Sequence, residues 1–169
     1  MTNGLPETVE HAFDRHGAFE RDGDAYVVGT TAFEGRITAV ETTDGHVAYT
    51  VTVRIPTLDA ATADEVGEAV EEGWYDAIRR RLEDAPKATR ADVELATYDT
   101  ERDGEEVYVT YGFEWDGPDR AADIAKTFVE YVEGTYVEGV IPGYAYESPV
   151  ADLLESASQG DGTGGGTPL

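Results

Sequence analysis

The stretch VAYTVTVRIP, residues Val47–Pro56, alternates without a break. Val47, Tyr49, Val51, Val53 and Ile55 are apolar, and the residues between them, Ala48, Thr50, Thr52 and Arg54, are small or polar. Successive side chains of a strand point to opposite faces, so this period of two predicts a strand with one face buried and the other wet. Pro56 brings no N–H to a ladder and ends the strand. The stretch VYVTYGFEW repeats the pattern, with Val107, Val109, Tyr111, Phe113 and Trp115 set against Tyr108, Thr110, Gly112 and Glu114. Such one-sided burial belongs to antiparallel sheets, because parallel strands are covered on both faces and read as continuous apolar runs.

Working outward, Asp22-Gly23, Asp44-Gly45 and Asp103-Gly104 each lie between alternating segments. Asp-Gly accommodates the positive φ angles of tight hairpins, so each pair predicts a turn. Tyr26 and Val28 mark a first strand, Phe33, Ile37 and Ala39 a second, and Val47–Pro56 the third. Val93 and Leu95 mark a fourth, ahead of the fifth at 107–115. A first helix has Leu5, Val9, Ala12, Phe13 and His16 on one face, with Asn3 as its cap, Pro6 in its first turn and Gly17 at its end. Thr62-Ala-Asp-Glu65 has the form of a capping box, and Val66, Ala69, Val70, Gly73, Trp74, Ala77 and Ile78 form the stripe of a central helix behind it. A third helix follows Asp116-Gly-Pro118 and buries Ala121, Ile124, Ala125, Phe128 and Val132. Ser148-Pro149 opens a short fourth helix using Val150, Leu153 and Leu154, and the Gly-rich tail from Ser156 is expected to be disordered. The expected architecture is a single α+β domain over residues 1–155 with a tail at 156–169. Its order is helix, three strands, helix, two strands, helix, with one antiparallel sheet and helices mainly on one face.

That element order resembles the type III secretion chaperone-like fold over about residues 5–135. The resemblance implies an α+β domain, often dimeric, that binds client polypeptides. The segments GWYDAIRRRLEDA and EGTYVEGVIPGYAY are similar to an uncharacterised haloarchaeal family of unknown function, which implies no catalytic residues that could be carried over.

Thirty-six acids oppose twelve bases, only Lys87 and Lys126 among them being lysine, for a formal charge of −24. Charge of that size makes a compact chain repel itself in dilute buffer, and concentrated salt screens the repulsion by shortening the Debye length to about 3 Å at 1 M. The composition resembles that of haloarchaeal cytosolic proteins, so the acid answers to the solvent more than to a partner. No cysteine is present, which excludes thiolate and disulfide chemistry. The N-terminal residues have neither a basic nor an apolar leader region, and no uncharged apolar run approaches the roughly 18 residues of a membrane span. These features predict a soluble cytoplasmic protein with no membrane partner.

Five of the bases, Arg79, Arg80, Arg81, Lys87 and Arg90, fall between Asp76 and Arg90. Three adjacent arginines turn 100° apiece on a helix and cannot share a face. Residues 64–90 carry eight acids against those five bases, so no net basic surface exists there for a nucleic acid. The run predicts a helix end whose cations suit the negative pole of the helix dipole. Arg81 alone falls on the apolar stripe, where its stem must lie on the core and its head must find a carboxylate or carbonyl.

Metal chemistry finds little support. His11 and His16 are five apart on one helix, about 140° around it, and His46 sits near a hairpin turn. Asp99, Glu101, Asp103 and Gly104 imitate a calcium loop, but its twelfth position is Thr110 where a bidentate Glu is required. GDGTGG, 160–165, has dinucleotide-loop letters without a strand before it or a helix after it. Ser148, Ser156 and Ser158 are the only serines, and none lies in a nucleophile motif. No cofactor, metal ligand or catalytic residue is assigned.

The segment GTYVEGVIPGYAYESPV, 134–150, departs from its acidic surroundings, its only charges being Glu138 and Glu147. Tyrosine offers apolar area with a polar tip and is enriched at protein interfaces. Tyr136, Ile141, Tyr144 and Tyr146 are therefore the expected partner-binding residues. The expected function is a non-catalytic protein-binding or adaptor module, chaperone-like, of a halophilic cytoplasm, acting on a protein partner or as a homodimer. The competing reading is a small hydrolase or transferase that uses carboxylates with Arg81 or a histidine.

Overall fold

The computed structural model describes residues 5–163. Its strands are β1 (Phe19–Asp22), β2 (Ala25–Val28), β3 (Gly35–Glu41), β4 (Val47–Pro56), β5 (Thr97–Asp103) and β6 (Glu106–Glu114). Its helices are α1 (Glu7–Arg15), α2 (Leu58–Ala61), α3 (Glu68–Leu82), α4 (Pro118–Gly139) and α5 (Val150–Thr163). All the strands pair antiparallel in one six-stranded sheet of order β1-β2-β3-β4-β6-β5. The α+β class and the single antiparallel sheet are those that the alternating stretches predict.

The three Asp-Gly turns are hairpins. Gly23, Gly45 and Gly104 sit at φ of 65°, 86° and 66°, the left-handed region that a side chain resists. The two alternating stretches become neighbours, Tyr49 opposite Phe113 and Val51 opposite Tyr111, so their apolar faces form one continuous floor. Helices α1 and α4 lie on that floor. The Phe113 and Phe128 rings meet edge-on with centroids 5.4 Å apart, and Phe13 stacks at 6.2 Å from Tyr49. Gly35 permits the approach of α4 to β3, since a Cβ there would stand 2.5 Å from a methyl of Val129.

The structure departs from the sequence reading in several places. β1 carries one buried residue, Phe19, and three exposed charged ones, so it has no apolar alternation to detect. Pairing with β2 across the Gly23 turn orders it. Val93 and Leu95 lie in the connection before β5, and the edge strand itself begins at Thr97. Its inward residues include Tyr98 and Thr100, which pair with Tyr111 and Val109 of β6. Phe33, though buried, precedes β3.

The capping box does not cap. α3 starts at Glu68, six residues after Thr62. Thr62 donates its hydroxyl to the Asp64 carbonyl at 2.6 Å, and the Val66 N–H donates to the Asp59 carboxylate at 2.9 Å. These bonds hold residues 62–66 off the helical path. The buried stripe of α3 is consequently narrow, Trp74, Ile78 and Leu82, and Ala69, Val70, Gly73 and Ala77 face solvent. α4 buries the five residues expected of it and continues to Gly139. α5 runs on to Thr163, beyond Ser156 where the helix was expected to have ended. The expected cap Asn3 and residues 164–169 of the expected tail lie outside the described residues.

Candidate interaction surfaces

Because all the packed helices share one face, the alternate residues of every strand point to the opposite, uncovered face. The register sets these residues in rows. Val27, Arg36, Thr52, Thr110 and Asp99 lie side by side across five strands. The next row is Thr38, Thr50, Gly112 and Thr97, and the one beyond it runs from Val40 through Ala48 to Glu114. On the other side, Arg54, Tyr108 and Glu101 form a row. Small β-branched residues set cross-strand suit a flat pleated surface. Gly112 has no side chain because that of Thr97 leans across it.

The centre of this face is uncharged in a chain of net charge −24. Its charges stand toward the rim. Arg36 pairs with Asp22 at 2.7 Å, and Arg54 lies between Glu34 at 2.9 Å and Glu106 at 3.3 Å. Val40 is 51% exposed, the most open large apolar side chain among the described residues.

Segment 140–147 is tied to the chain before α3. Thr62 and Tyr146 form an antiparallel bridge. The Ala63 N–H donates to the Ala145 carbonyl, the Glu147 N–H to that of Ala61, and the Ala145 N–H to the Asp64 carboxylate. The expected contact residues separate here. Tyr136 belongs to α4 and is wholly buried against Phe33 and Trp74, so it offers no surface to a partner. Ile141, Tyr144 and Tyr146 are half-buried against the core, and Tyr146 donates its hydroxyl to the Ile141 carbonyl. The aromatic content that marked this segment is largely spent on its own domain.

The arginine run ends α3 as its spacing predicts, and tyrosines complete it. Tyr98 donates to the Arg79 carbonyl at 2.5 Å, Tyr131 to Arg81 at 2.9 Å and Tyr111 to Leu82 at 2.6 Å. These are among the last carbonyls of α3, where an α-helix runs out of its own donors, and that of Arg81 also accepts from the Asp84 N–H at 3.1 Å. Burial pushes the Tyr98 and Tyr111 hydroxyls up from their ordinary value, which keeps them protonated and able to donate. Arg79 pairs with Asp76, and Arg81 reaches Glu138 of α4. Arg102 pairs with Glu72 at 2.8 Å and covers the Tyr75 ring at 4.3 Å. The open groove of about 560 Å³ between α3 and β5 is thus lined by Arg79, Arg80 and Arg102 together with Glu72, Asp76 and Glu83, with Asp99 at its β5 rim. Its acids match its bases, and Arg79 and Arg102 are already paired, which gives an anion no net attraction.

The histidines lie apart on the surface. His16 Nε2 is 2.9 Å from Asp123, His46 Nδ1 is 2.7 Å from Asp116, and His11 is exposed. Among the described residues no three His, Asp or Glu side chains converge as a metal site, and no helix is long and apolar enough to cross a membrane.

Fold and surfaces together define an α+β domain with one face of its sheet left open. The model of DUF5813, a family of unknown function, matches residues 14–156, and the chain belongs to that family. No curated protein and no solved structure matches it.

Proposed function

We propose that this chain is a non-catalytic protein-binding module of a salt-rich cytoplasm, and that it binds through the uncovered face of its sheet. The observation that carries this reading is the uncharged, threonine-rich centre of that face in so acidic a chain. In concentrated salt, charge–charge steering fades while apolar association strengthens. A partner site suited to such a solvent is therefore neutral at its centre, as this face is. The likeness of element order to client-binding chaperones points the same way, although the β1–β2 hairpin adds a strand to the order on which that likeness was drawn.

The test is Thr50→Arg, which sets a long cation in the middle of the face. Capture of a partner from lysate in multimolar KCl, read by mass spectrometry, should be lost while the circular dichroism melt is unchanged. Partner capture that survives the substitution would remove the sheet face from the function.

A further inference from the structure

We infer that the occupant of the open sheet face is a second copy of this chain, related by a two-fold axis that runs along the strands between β4 and β6. The inference rests on the reading of that face as a binding surface and adds the partner and its register.

Three observations point to a copy of itself. The first is the charge pattern. Arg36 and Asp99 flank Thr52 and Thr110 in their row, and Val27 of β2 lies beyond Arg36. A two-fold axis between β4 and β6 exchanges Arg36 with Asp99 and leaves β1 and β2 outside the contact. It sets Arg36 on Asp99 of the second copy and Thr52 on its Thr110. The same axis sets Thr38 on Thr97 of the second copy in the next row, and the guanidinium of Arg54 on its Tyr108 ring. Isologous contacts of this kind require a surface complementary to itself, and the rows meet that requirement. One like-charge opposition results, Glu34 against Glu101, at the rim where solvent reaches it.

The second observation is geometric. Packed sheets cross at about 30°. Arg36 and Asp99 each stand about 7 Å from the axis at a strand spacing of about 4.8 Å, so that crossing offsets them by about 4 Å. An arginine side chain spans that offset. Arg36 is bound on one side by Asp22, and its side chain is still 43% exposed. The Asp99 carboxylate has no hydrogen-bond or ion-pair partner among the described residues.

The third is area. Four strands about 4.8 Å apart and four rows about 6.7 Å apart give about 500 Å² of flat surface per copy. A pair then buries on the order of 1,000 Å², the size of a weak, transient interface. The predicted dimer is accordingly concentration-dependent.

Sedimentation equilibrium on the full chain, in the lowest KCl at which it stays folded, tests the inference. The wild type is expected to dimerise in the micromolar range. Thr52→Arg, at the centre of the interface, should be monomeric with an unchanged melt. Arg36→Asp and Asp99→Arg should each weaken the dimer about tenfold, and the double variant should regain most of the loss because the pair re-forms across the axis with its signs exchanged. A wild type that stays monomeric to about 100 μM would overturn the inference, and so would a dimer that tolerates Thr52→Arg. Weakening by each single change without recovery in the double variant would overturn the proposed axis. Loss of partner capture in Thr50→Arg, with a monomeric wild type, would leave the binding surface standing and refute only the second copy.

Discussion

The hydroxyl of Tyr111, in the middle of β6, donates to the carbonyl of Leu82 at 2.6 Å, the last residue of α3. This bond joins the floor of the core to the end of the helix that carries the arginine run. The hydroxyl of Tyr136, equally buried, has no hydrogen-bond partner among the described residues. The two tyrosines therefore separate the worth of a ring from that of its hydroxyl.

Tyr111→Phe should lower stability by about 1–2 kcal/mol, because it leaves the Leu82 carbonyl buried without a donor. Tyr136→Phe should be neutral or slightly stabilising, since it removes a polar atom that gains no bond on folding. Urea titrations of both variants check the contrast. A loss of more than about 1 kcal/mol from Tyr136→Phe would contradict it.

Tyr144→Ala with Tyr146→Ala should lower the melting temperature by several degrees and leave self-association unchanged. Both rings pack against the core, and the bridge from Tyr146 to Thr62 closes the segment onto its own domain. Melts and sedimentation of the same sample read the two effects. Loss of association at constant melting temperature would return this segment to the partner-binding role first expected of it.

The hydrogen bond and charge of Asp116 raise the pKa of His46 from its ordinary value near 6.5. A raised folded-state pKa means that the folded chain holds the proton more tightly than the unfolded one. The resulting stabilisation is complete below the unfolded pKa and is lost as pH rises through the folded one. The difference in melting temperature between wild type and His46→Ala should therefore be larger at pH 5.5 than at pH 8.5. A difference that grows with pH would show that the contact acts through packing alone.

Stability should rise steeply from low to multimolar KCl. The motive is the formal charge of −24 on a chain of 169 residues, whose self-repulsion salt screens. Melts by circular dichroism across that range measure it. A flat response would remove the argument that the acid is an adaptation to the solvent.

Sequence alone determined the elements whose order is local. Alternation in Val47–Pro56 and Val107–Glu114 specified two central strands and their buried faces, because a period of two leaves no other way to hide five apolar side chains. The Asp-Gly pairs specified three hairpins, because glycine alone tolerates the φ they need. The spacing of Ala121, Ile124, Ala125, Phe128 and Val132 specified α4. Tertiary structure decided the elements that lean on distant partners. β1 and β5 are mostly polar edge strands, and only their pairing makes them strands. Thr62 looked like a cap and became a bridge to Tyr146, because the segment that completes it lies more than eighty residues away. The tyrosines that end α3 come from β5, β6 and α4, so no pattern within the helix could announce them. The open sheet face belongs to this second group. Each strand showed a polar side, but the alignment of Arg36, Thr52, Thr110 and Asp99 in one row exists only once the register of four strands is set.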